Sequence, residues 1–162
     1  MALKSSILIT GAAGYIGSHT VVELVEAGYE PILIDNFINS EPKVIDRLKK
    51  ITDKDLSFYE GDCNDEAFVG DICKKHKNIK GVIHFAAYKS VGESVSEPIK
   101  YYENNIGSLL VLLKAIKENG ITNLVFSSSC TVYGQPDILP VTEETPQKPA
   151  ESPYGKTKQI CE

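Results

Sequence analysis

Short apolar runs alternate along the chain with longer amphipathic stretches, which is the pattern of strands alternating with helices. The apolar runs predict five strands, at residues 7–10, 31–35, 56–59, 81–85 and 124–127. The stretches between them predict four helices, at residues 15–28, 44–51, 66–77 and 99–119, and a further helix begins at Tyr154. Pro98 precedes the longest helix and Gly120 follows it, as helix boundaries favour.

Strands joined by helices over short connections require right-handed crossovers, and these give a parallel sheet covered by helices on both faces. The run at residues 81–85 is apolar enough for a strand buried on both sides. We therefore predict an α/β fold with a doubly wound, Rossmann-like parallel sheet in the strand order 3-2-1-4-5. No internal repeat or linker interrupts the pattern, so residues 1–162 are expected to form one domain.

The first predicted strand ends in a glycine-rich turn, Gly11-Ala12-Ala13-Gly14-Tyr15-Ile16-Gly17. The first glycine permits a tight exit from the strand, the second lets the backbone approach a pyrophosphate, and the third lets the helix pack closely on the sheet. The helix that follows would point its free N–H groups at the phosphates. A glycine turn alone is weak evidence for a nucleotide site, and a purely structural turn stays open at this point.

An acidic residue, Asp35, ends the second predicted strand. A carboxylate at this place accepts hydrogen bonds from the hydroxyls of an adenosine ribose, and it would repel a 2′-phosphate. Because no arginine lies in residues 35–40, the sequence favours NAD over NADP as the cofactor. Asp62, at the end of the third strand, is a candidate for the adenine amino group, and a turn-capping role is equally open.

Tyr154 and Lys158 lie four residues apart, so they share one face of the last predicted helix. A phenol is a poor base at neutral pH unless a positive charge stabilises its phenolate, and Lys158 can supply that charge. Ser129, near the end of the fifth strand, could orient a substrate hydroxyl while Tyr154 takes its proton. The pattern predicts proton and hydride transfer at an alcohol beside a nicotinamide, and an ordinary surface pair is the alternative.

Charge and cysteine content narrow the function classes. The chain carries 17 Lys and Arg against 22 Asp and Glu, without long runs of either sign, which argues against nucleic acid as a partner. The four cysteines form no CxxC pair, so neither a disulfide framework nor a metal site is expected. No apolar stretch has membrane-spanning length and residues 1–6 show no signal-peptide pattern, so we expect no membrane partner and a cytoplasmic location.

Three segments together, at residues 10–17, 127–134 and 154–158, resemble the extended short-chain dehydrogenase/reductase family. Within that family the runs at residues 14–24, 35–40 and 89–94 are most similar to the enzymes that invert C4 of a UDP-hexose. The resemblance implies tightly bound NAD, a hydride removed from C4 and returned to the other face of the sugar, and no net redox change. UDP-glucose and UDP-galactose are the implied substrates, which places the reaction in galactose metabolism.

The resemblance also implies roles for individual residues. Tyr154 would be the base, Lys158 its partner and a ribose ligand, and Ser129 would orient the substrate with Thr131 nearby. Besides the glycines Gly11, Gly14 and Gly17, the implied NAD site contains Tyr15, Ile16, Asp35, Asn36, Asn39, Ser40, Asp62, Cys63, Phe85, Ala86, Ala87, Lys89, Asn104, Tyr154 and Lys158. The three histidines, His19, His76 and His84, are assigned no catalytic role.

The related sugar-nucleotide 4,6-dehydratases usually carry an Asp-Glu pair after the catalytic-loop Thr or Ser, and Cys130-Thr131-Val132 offers no such carboxylates. A dehydratase or decarboxylase on the same scaffold stays open as an alternative, and so does a non-catalytic nucleotide-binding module. Family members continue into a C-terminal domain that grips the uridine and the sugar. Residues 1–162 are therefore expected to be an incomplete NAD-binding domain, truncated before the substrate domain and inactive alone, whose intact parent is a homodimer.

Overall fold

The computed structural model describes residues 5–162, and residues 1–4, part of the segment predicted to lack a signal peptide, lie outside the described residues. The strands are β1 Ser6–Thr10, β2 Glu30–Asp35, β3 Ser57–Glu60, β4 Ile79–His84 and β5 Asn123–Phe126. The helices are α1 Tyr15–Glu26, α2 Lys43–Thr52, α3 Glu66–Lys75, α4 Val91–Ser96, α5 Pro98–Asn119 and α6 Pro153–Cys161, with a short 3-10 helix at Cys130–Tyr133. None of the helices described here combines the length and apolar character needed to span a bilayer.

The five strands form one parallel sheet in the order β3-β2-β1-β4-β5, which confirms the predicted order. β1 lies at the centre, where Ile9 is opposite Leu33 of β2 and Ile83 of β4. All four strand pairs are parallel, as helix-containing crossovers require. The strand order reverses at β1, because β2 and β3 add to one side of β1 and β4 and β5 add to the other. Ligands of open α/β sheets bind at the carboxyl ends of the strands at such a switch point.

The chain divides into two compact units. The first unit runs to Ala86 and includes Leu110–Phe126, so it holds the whole sheet with α1, α2 and α3. The second unit comprises Ala87–Leu109 and Ser127–Glu162, and it holds α4, the 3-10 helix and α6.

Apolar side chains of the first unit form two buried clusters, because successive residues of a strand point to opposite faces of a sheet. On one face Leu8 and Val82 pack with side chains of α3 and of the later part of α5. On the other face Ile9 and Leu33 pack with side chains of α1 and α2. The central strands are thus buried on both sides, as the apolar runs predict. β5 is different, since Leu124 and Val125 are 36% and 58% exposed at the edge of the sheet.

The apolar pattern did not predict α4, although the sequence contains a signal for it. Ser90 and Glu93 have the spacing of a capping box, in which a Ser side chain satisfies the amide three residues later. In the structure the Ser90 hydroxyl accepts a hydrogen bond from the Glu93 amide at 3.3 Å. The helix has only six residues and one buried side chain, Ser94, so it shows no apolar periodicity.

Candidate functional site

The glycine turn after β1 is packed too closely to admit larger residues. Gly11 has a φ of +68°, and a Cβ there would lie 2.8 Å from the Ala86 amide nitrogen. A Cβ on Gly17 would overlap the Gly11 carbonyl oxygen, and one on Gly14 would lie 3.2 Å from that oxygen. The turn therefore brings bare backbone to the carboxyl end of β1, which is the surface that a pyrophosphate needs.

The N-terminus of α1 has no side-chain cap. Its N-cap residue is Gly14, whereas Asp65, Ser90 and Ser152 cap α3, α4 and α6 with side-chain oxygens. The first intrahelical bond of α1 runs from the Ser18 amide to the Gly14 carbonyl, so the first-turn amides keep their hydrogens for other acceptors. Tyr15 and Ile16, the first two residues of α1, are largely exposed. These features fit an anionic phosphate group.

Asp35 lies at the end of β2 with its side chain only 8% exposed. One carboxylate oxygen accepts from the Ala13 amide at 2.9 Å, and the other accepts from the Phe37 amide and the Ser40 hydroxyl at 2.9 and 2.7 Å. A carboxylate has about four acceptor positions, so the three bonds leave one for a ribose hydroxyl. The predicted ribose ligand thus also joins the glycine turn to the loop after β2.

Asp62 and Cys63, two further residues of the predicted NAD site, are engaged within the first unit. The Asp62 carboxylate accepts from the backbone amide and the side-chain amide of Asn64, at 2.8 and 3.0 Å, so it caps its own turn. The Cys63 side chain packs in the core, and burial raises the pKa of its thiol to about 12. The Cys63 side chain is therefore part of the core.

The other predicted NAD-site residues retain surface that a ligand can reach. Asn36, Asn39 and Lys89 are exposed, and Phe85, Ala86, Ala87 and Asn104 are half-buried. The Asn36 side chain accepts from the Ile38 amide at 3.2 Å, and that of Asn104 donates to Asn105 at 3.0 Å. Among residues 5–162 no group of three His, Cys, Asp or Glu side chains is arranged to hold a metal ion.

Tyr154 and Lys158 both lie on α6 and are buried, at 9% and 4% exposure. Ser152 caps the helix by accepting from the Gly155 amide at 3.1 Å, and the helix begins one residue before the predicted start. The Lys158 ammonium donates to the carbonyl of Ser127 at 2.7 Å. Burial lowers the pKa of Lys158 below its ordinary value of 10.5. A surface pair is therefore excluded, because both side chains have been withdrawn from solvent.

The sequence predicts Ser129 near the end of the fifth strand. In the structure β5 ends earlier, at Phe126, so Ser129 lies beyond the strand. It is the N-cap of the 3-10 helix Cys130–Tyr133. Its hydroxyl oxygen accepts from the backbone amide and the hydroxyl of Thr131, at 3.3 and 3.0 Å. In both contacts Ser129 is the acceptor, so its own hydrogen remains available to donate to a substrate oxygen.

Several buried side chains that hold α6 in place were missed by the sequence patterns. The Thr157 hydroxyl donates to the Tyr154 carbonyl at 2.7 Å and accepts from Asn105 at 3.2 Å. Asn105 also bonds both backbone groups of Tyr88, at 2.9 and 3.0 Å. The ring of Tyr101, which is fully buried, packs edge-on against Tyr154 with 6.5 Å between the centroids. Such contacts could have been predicted only from a polar residue that lies on the apolar face of a predicted helix.

The two units therefore carry different kinds of functional group. The first unit presents an uncapped helix N-terminus and an acceptor suited to a dinucleotide. The second unit presents a buried phenol, a buried ammonium and a hydroxyl donor, which suit proton transfer at an alcohol.

A parallel sheet in this order, with a glycine turn after its first strand, defines the Rossmann-like class of α/β proteins. A family model described as GDP-mannose 4,6 dehydratase matches residues 8–162, so the chain belongs to that family, within the extended short-chain dehydrogenases/reductases. The family resemblance seen in the sequence motifs is thereby confirmed.

The chain is also similar to proteins named UDP-glucose 4-epimerase. It is 50% identical to that of Haemophilus influenzae and 49% identical to that of Bacillus subtilis, in each case over 97% of this chain and 46% of the relative. The crystal structure of UDP-glucose 4-epimerase from Bifidobacterium longum in complex with NAD+ and UDP matches with a TM-score of 0.94 and 47% identity, over 97% of this chain and 47% of that one. The chain therefore spans about half the length of the curated relatives it matches.

Proposed function

We propose that residues 1–162 are the NAD-binding part of a UDP-glucose 4-epimerase, an isomerase that interconverts UDP-glucose and UDP-galactose. The observation that carries the proposal is the buried Tyr154 and Lys158 pair on α6, together with Ser129 as a free hydroxyl donor. Similarity to epimerases over nearly the whole chain supports it. In this proposal the domain is incomplete, and the substrate-gripping domain lies in the rest of the protein.

The residues of the first unit fit NAD. The uncapped first turn of α1 would hold the pyrophosphate, and Asp35 would accept from a ribose hydroxyl while disfavouring a 2′-phosphate. Lys89, Asn104 and the other residues that the family resemblance assigns to the NAD site remain proposed ligands. When bound, NAD supplies a hydride acceptor for the sugar C4 position and returns the hydride later.

The proton step falls to the second unit. Ser129 would donate a hydrogen bond to the sugar hydroxyl at C4, so that the proton of that hydroxyl points to the Tyr154 oxygen. Lys158, held on the Ser127 carbonyl, would place a positive charge on the face of α6 that carries Tyr154 and so stabilise the phenolate. Thr131 would keep the Ser129 oxygen engaged as an acceptor, which fixes the direction of its hydrogen.

The 3-10 helix favours an epimerase over a dehydratase. Elimination of water from a sugar needs an additional acid and base, which the dehydratases usually carry as an Asp-Glu pair after the catalytic Thr or Ser. Here Ser129 is followed by Cys130 and Thr131 in the 3-10 helix, so neither carboxylate of such a pair is present. A dehydratase or decarboxylase would release a product of different mass, which separates these functions by product analysis.

The intact protein is proposed to be a homodimer in the cytoplasm. The exposed Leu110 and Leu113 on the later part of α5, at 54% and 42%, support an association surface on this helix. Sedimentation of the full-length protein tests the oligomeric state, and a monomer at micromolar concentration contradicts it.

The experiment for the main proposal is conversion of UDP-galactose to UDP-glucose, followed by chromatography, with a full-length protein that contains this chain. Tyr154→Phe should lower kcat by several orders of magnitude, since the variant keeps the ring and loses the base. Tyr29→Phe, at an exposed position before β2, is the matched control and should keep full activity. Near-normal turnover by Tyr154→Phe would remove it from the mechanism, and turnover by residues 1–162 alone would refute the incomplete-domain proposal.

A further inference from the structure

The side chain of Gln159 uses all of its hydrogen-bonding capacity on the segments that surround α6. Its amide nitrogen donates to the Val132 carbonyl at 2.7 Å and to the Lys148 carbonyl at 2.6 Å. Its amide oxygen accepts from the Ala150 backbone amide at 3.3 Å and from the Lys156 ammonium at 3.4 Å. A glutamine amide has two donor hydrogens and two acceptor lone pairs, so no capacity is left. This residue directly follows Lys158 in the sequence.

Two glycines show how closely the same segments approach one another. A Cβ on Gly155 of α6 would lie 3.3 Å from the Thr131 side chain and 3.0 Å from that of Ala150. A Cβ on Gly134 would lie 2.5 Å from the Pro149 carbonyl oxygen. Residues 129–134, residues 148–150 and α6 therefore approach one another closely, and the Gln159 side chain bonds to both of the other segments.

The contact with Val132 bears directly on Ser129. The Val132 amide donates to the Ser129 carbonyl at 3.1 Å, so these two residues close the turn that begins the 3-10 helix. The Ser129 hydroxyl accepts from Thr131 inside that turn. Fixing the Val132 carbonyl to α6 therefore fixes the turn that sets the direction of the Ser129 hydroxyl.

We propose that Gln159 is a positioning residue, which holds Ser129 and Thr131 in register with Tyr154 and Lys158 on α6. The inference rests on the proposed function, since it concerns the proton step of that reaction. Gln159 touches no reacting atom in this scheme and acts only through the Val132 carbonyl and the turn that contains it. A purely structural glutamine would support the stability of the unit without any specific link to Ser129.

The test uses Gln159→Met in the full-length protein, because methionine has a similar length and makes neither of the two donated bonds. We expect kcat to fall by about 10-fold to 100-fold, because a small displacement of an orienting group is enough for such a loss. The KM for UDP-galactose should stay within about twofold if uniform substrate binding is retained. Ile160→Met, at an exposed position next in α6, is the matched control and should leave both constants unchanged.

A double-mutant cycle with Ser129→Ala distinguishes positioning from general support. If Gln159 acts through Ser129, adding Gln159→Met to the Ser129→Ala protein should lower kcat by less than about twofold further, because the function it serves is already lost. An equal loss in both backgrounds would overturn the proposal. Gln159→Glu provides a second variant, since it keeps the length and the acceptors but loses both donors, and it should show the same coupling.

Amide hydrogen exchange gives a readout that does not depend on turnover. In Gln159→Met the amides of residues 130–134 should exchange about 10-fold faster or more, while those of β1 and α1 keep their rates. Unchanged exchange at residues 130–134 would overturn the proposal even if activity fell. If the unmodified full-length protein does not epimerise UDP-galactose, the proposed function fails, and the exchange experiment still decides whether Gln159 holds the 3-10 helix.

Discussion

The Asp35 carboxylate accepts a 2.9 Å hydrogen bond from the Ala13 amide, which joins the end of β2 to the glycine turn after β1. The other carboxylate oxygen accepts from the Phe37 amide, and Phe37 itself adopts a left-handed φ of +57°. One acidic side chain therefore fixes two loops in addition to its proposed contact with a ribose. Its role in folding is separable from its proposed role in binding.

Asp35→Asn should lower the free energy of unfolding by about 1–3 kcal/mol, because one acceptor oxygen becomes an amide donor and leaves a buried backbone N–H without a partner. Urea denaturation followed by circular dichroism measures the change. Asp62→Asn is the matched control, since Asp62 is exposed and its carboxylate bonds the neighbouring Asn64, and it should change the free energy of unfolding by less than about 0.5 kcal/mol. Equal losses in the two variants would show that the Asp35 bonds do not stabilise the fold.

Two helical glycines should respond in opposite directions to alanine. Gly17→Ala should destabilise the chain by at least about 1–3 kcal/mol, because the new Cβ overlaps the Gly11 carbonyl and the backbone must move. Gly70→Ala, in α3, where the new Cβ would meet no atom within 4 Å apart from its neighbouring residues and the backbone of its own helix, should instead stabilise it by about 0.5–1 kcal/mol. Thermal unfolding of both variants measures whether each change in stability is positive or negative. A Gly17→Ala variant as stable as the unmodified protein would contradict the close approach of α1 to the turn.

Tyr101→Phe tests the contacts behind Tyr154. The buried Tyr101 hydroxyl donates to Glu93 at 2.7 Å and accepts from the Ser90 amide at 3.1 Å. Removing it should lower the free energy of unfolding by about 1–3 kcal/mol, since one of the two bonds is to a carboxylate. Tyr102→Phe, at the half-buried next position, is the control and should have an effect below about 0.5 kcal/mol. Similar values for both variants would mean that the Glu93 bond contributes nothing.

The sequence predicts the sheet well because apolar runs and glycine boundaries act locally. The strand order follows from right-handed crossovers, and the glycine turn and Asp35 lie where the motif places them. In contrast, the apolar run of β5 predicts a strand but not its exposure, and Leu124 and Val125 are 36% and 58% exposed. Burial depends on which elements cover a strand, and no local pattern contains that information.

The second unit was harder to predict, since its order depends on single polar contacts. α4 has too few turns for a periodic pattern, and the 3-10 helix places Ser129 three residues beyond the end of β5. Gln159 shows the same difficulty, because a glutamine at the end of a helix is usually solvated. Its four partners lie at residues 132, 148, 150 and 156, and three of these are brought near only by the folded loop.

Lys158→Met should remove a pH dependence of stability while it abolishes turnover. Burial lowers the pKa of Lys158 below 10.5, so the unfolded chain binds the proton more tightly than the folded chain does. Between the folded pKa and 10.5, the Lys158 contribution to the free energy of unfolding therefore rises as pH rises. Relative to Lys158→Met, the unmodified protein should gain stability over this interval.

The measurement is urea denaturation of both proteins at several pH values from neutral to about 10, near the ordinary lysine pKa. Lys156→Met is the control on the same helix, because it places the same side chain at an exposed lysine. Parallel pH profiles for Lys158→Met and the unmodified protein would show that burial does not perturb this ammonium.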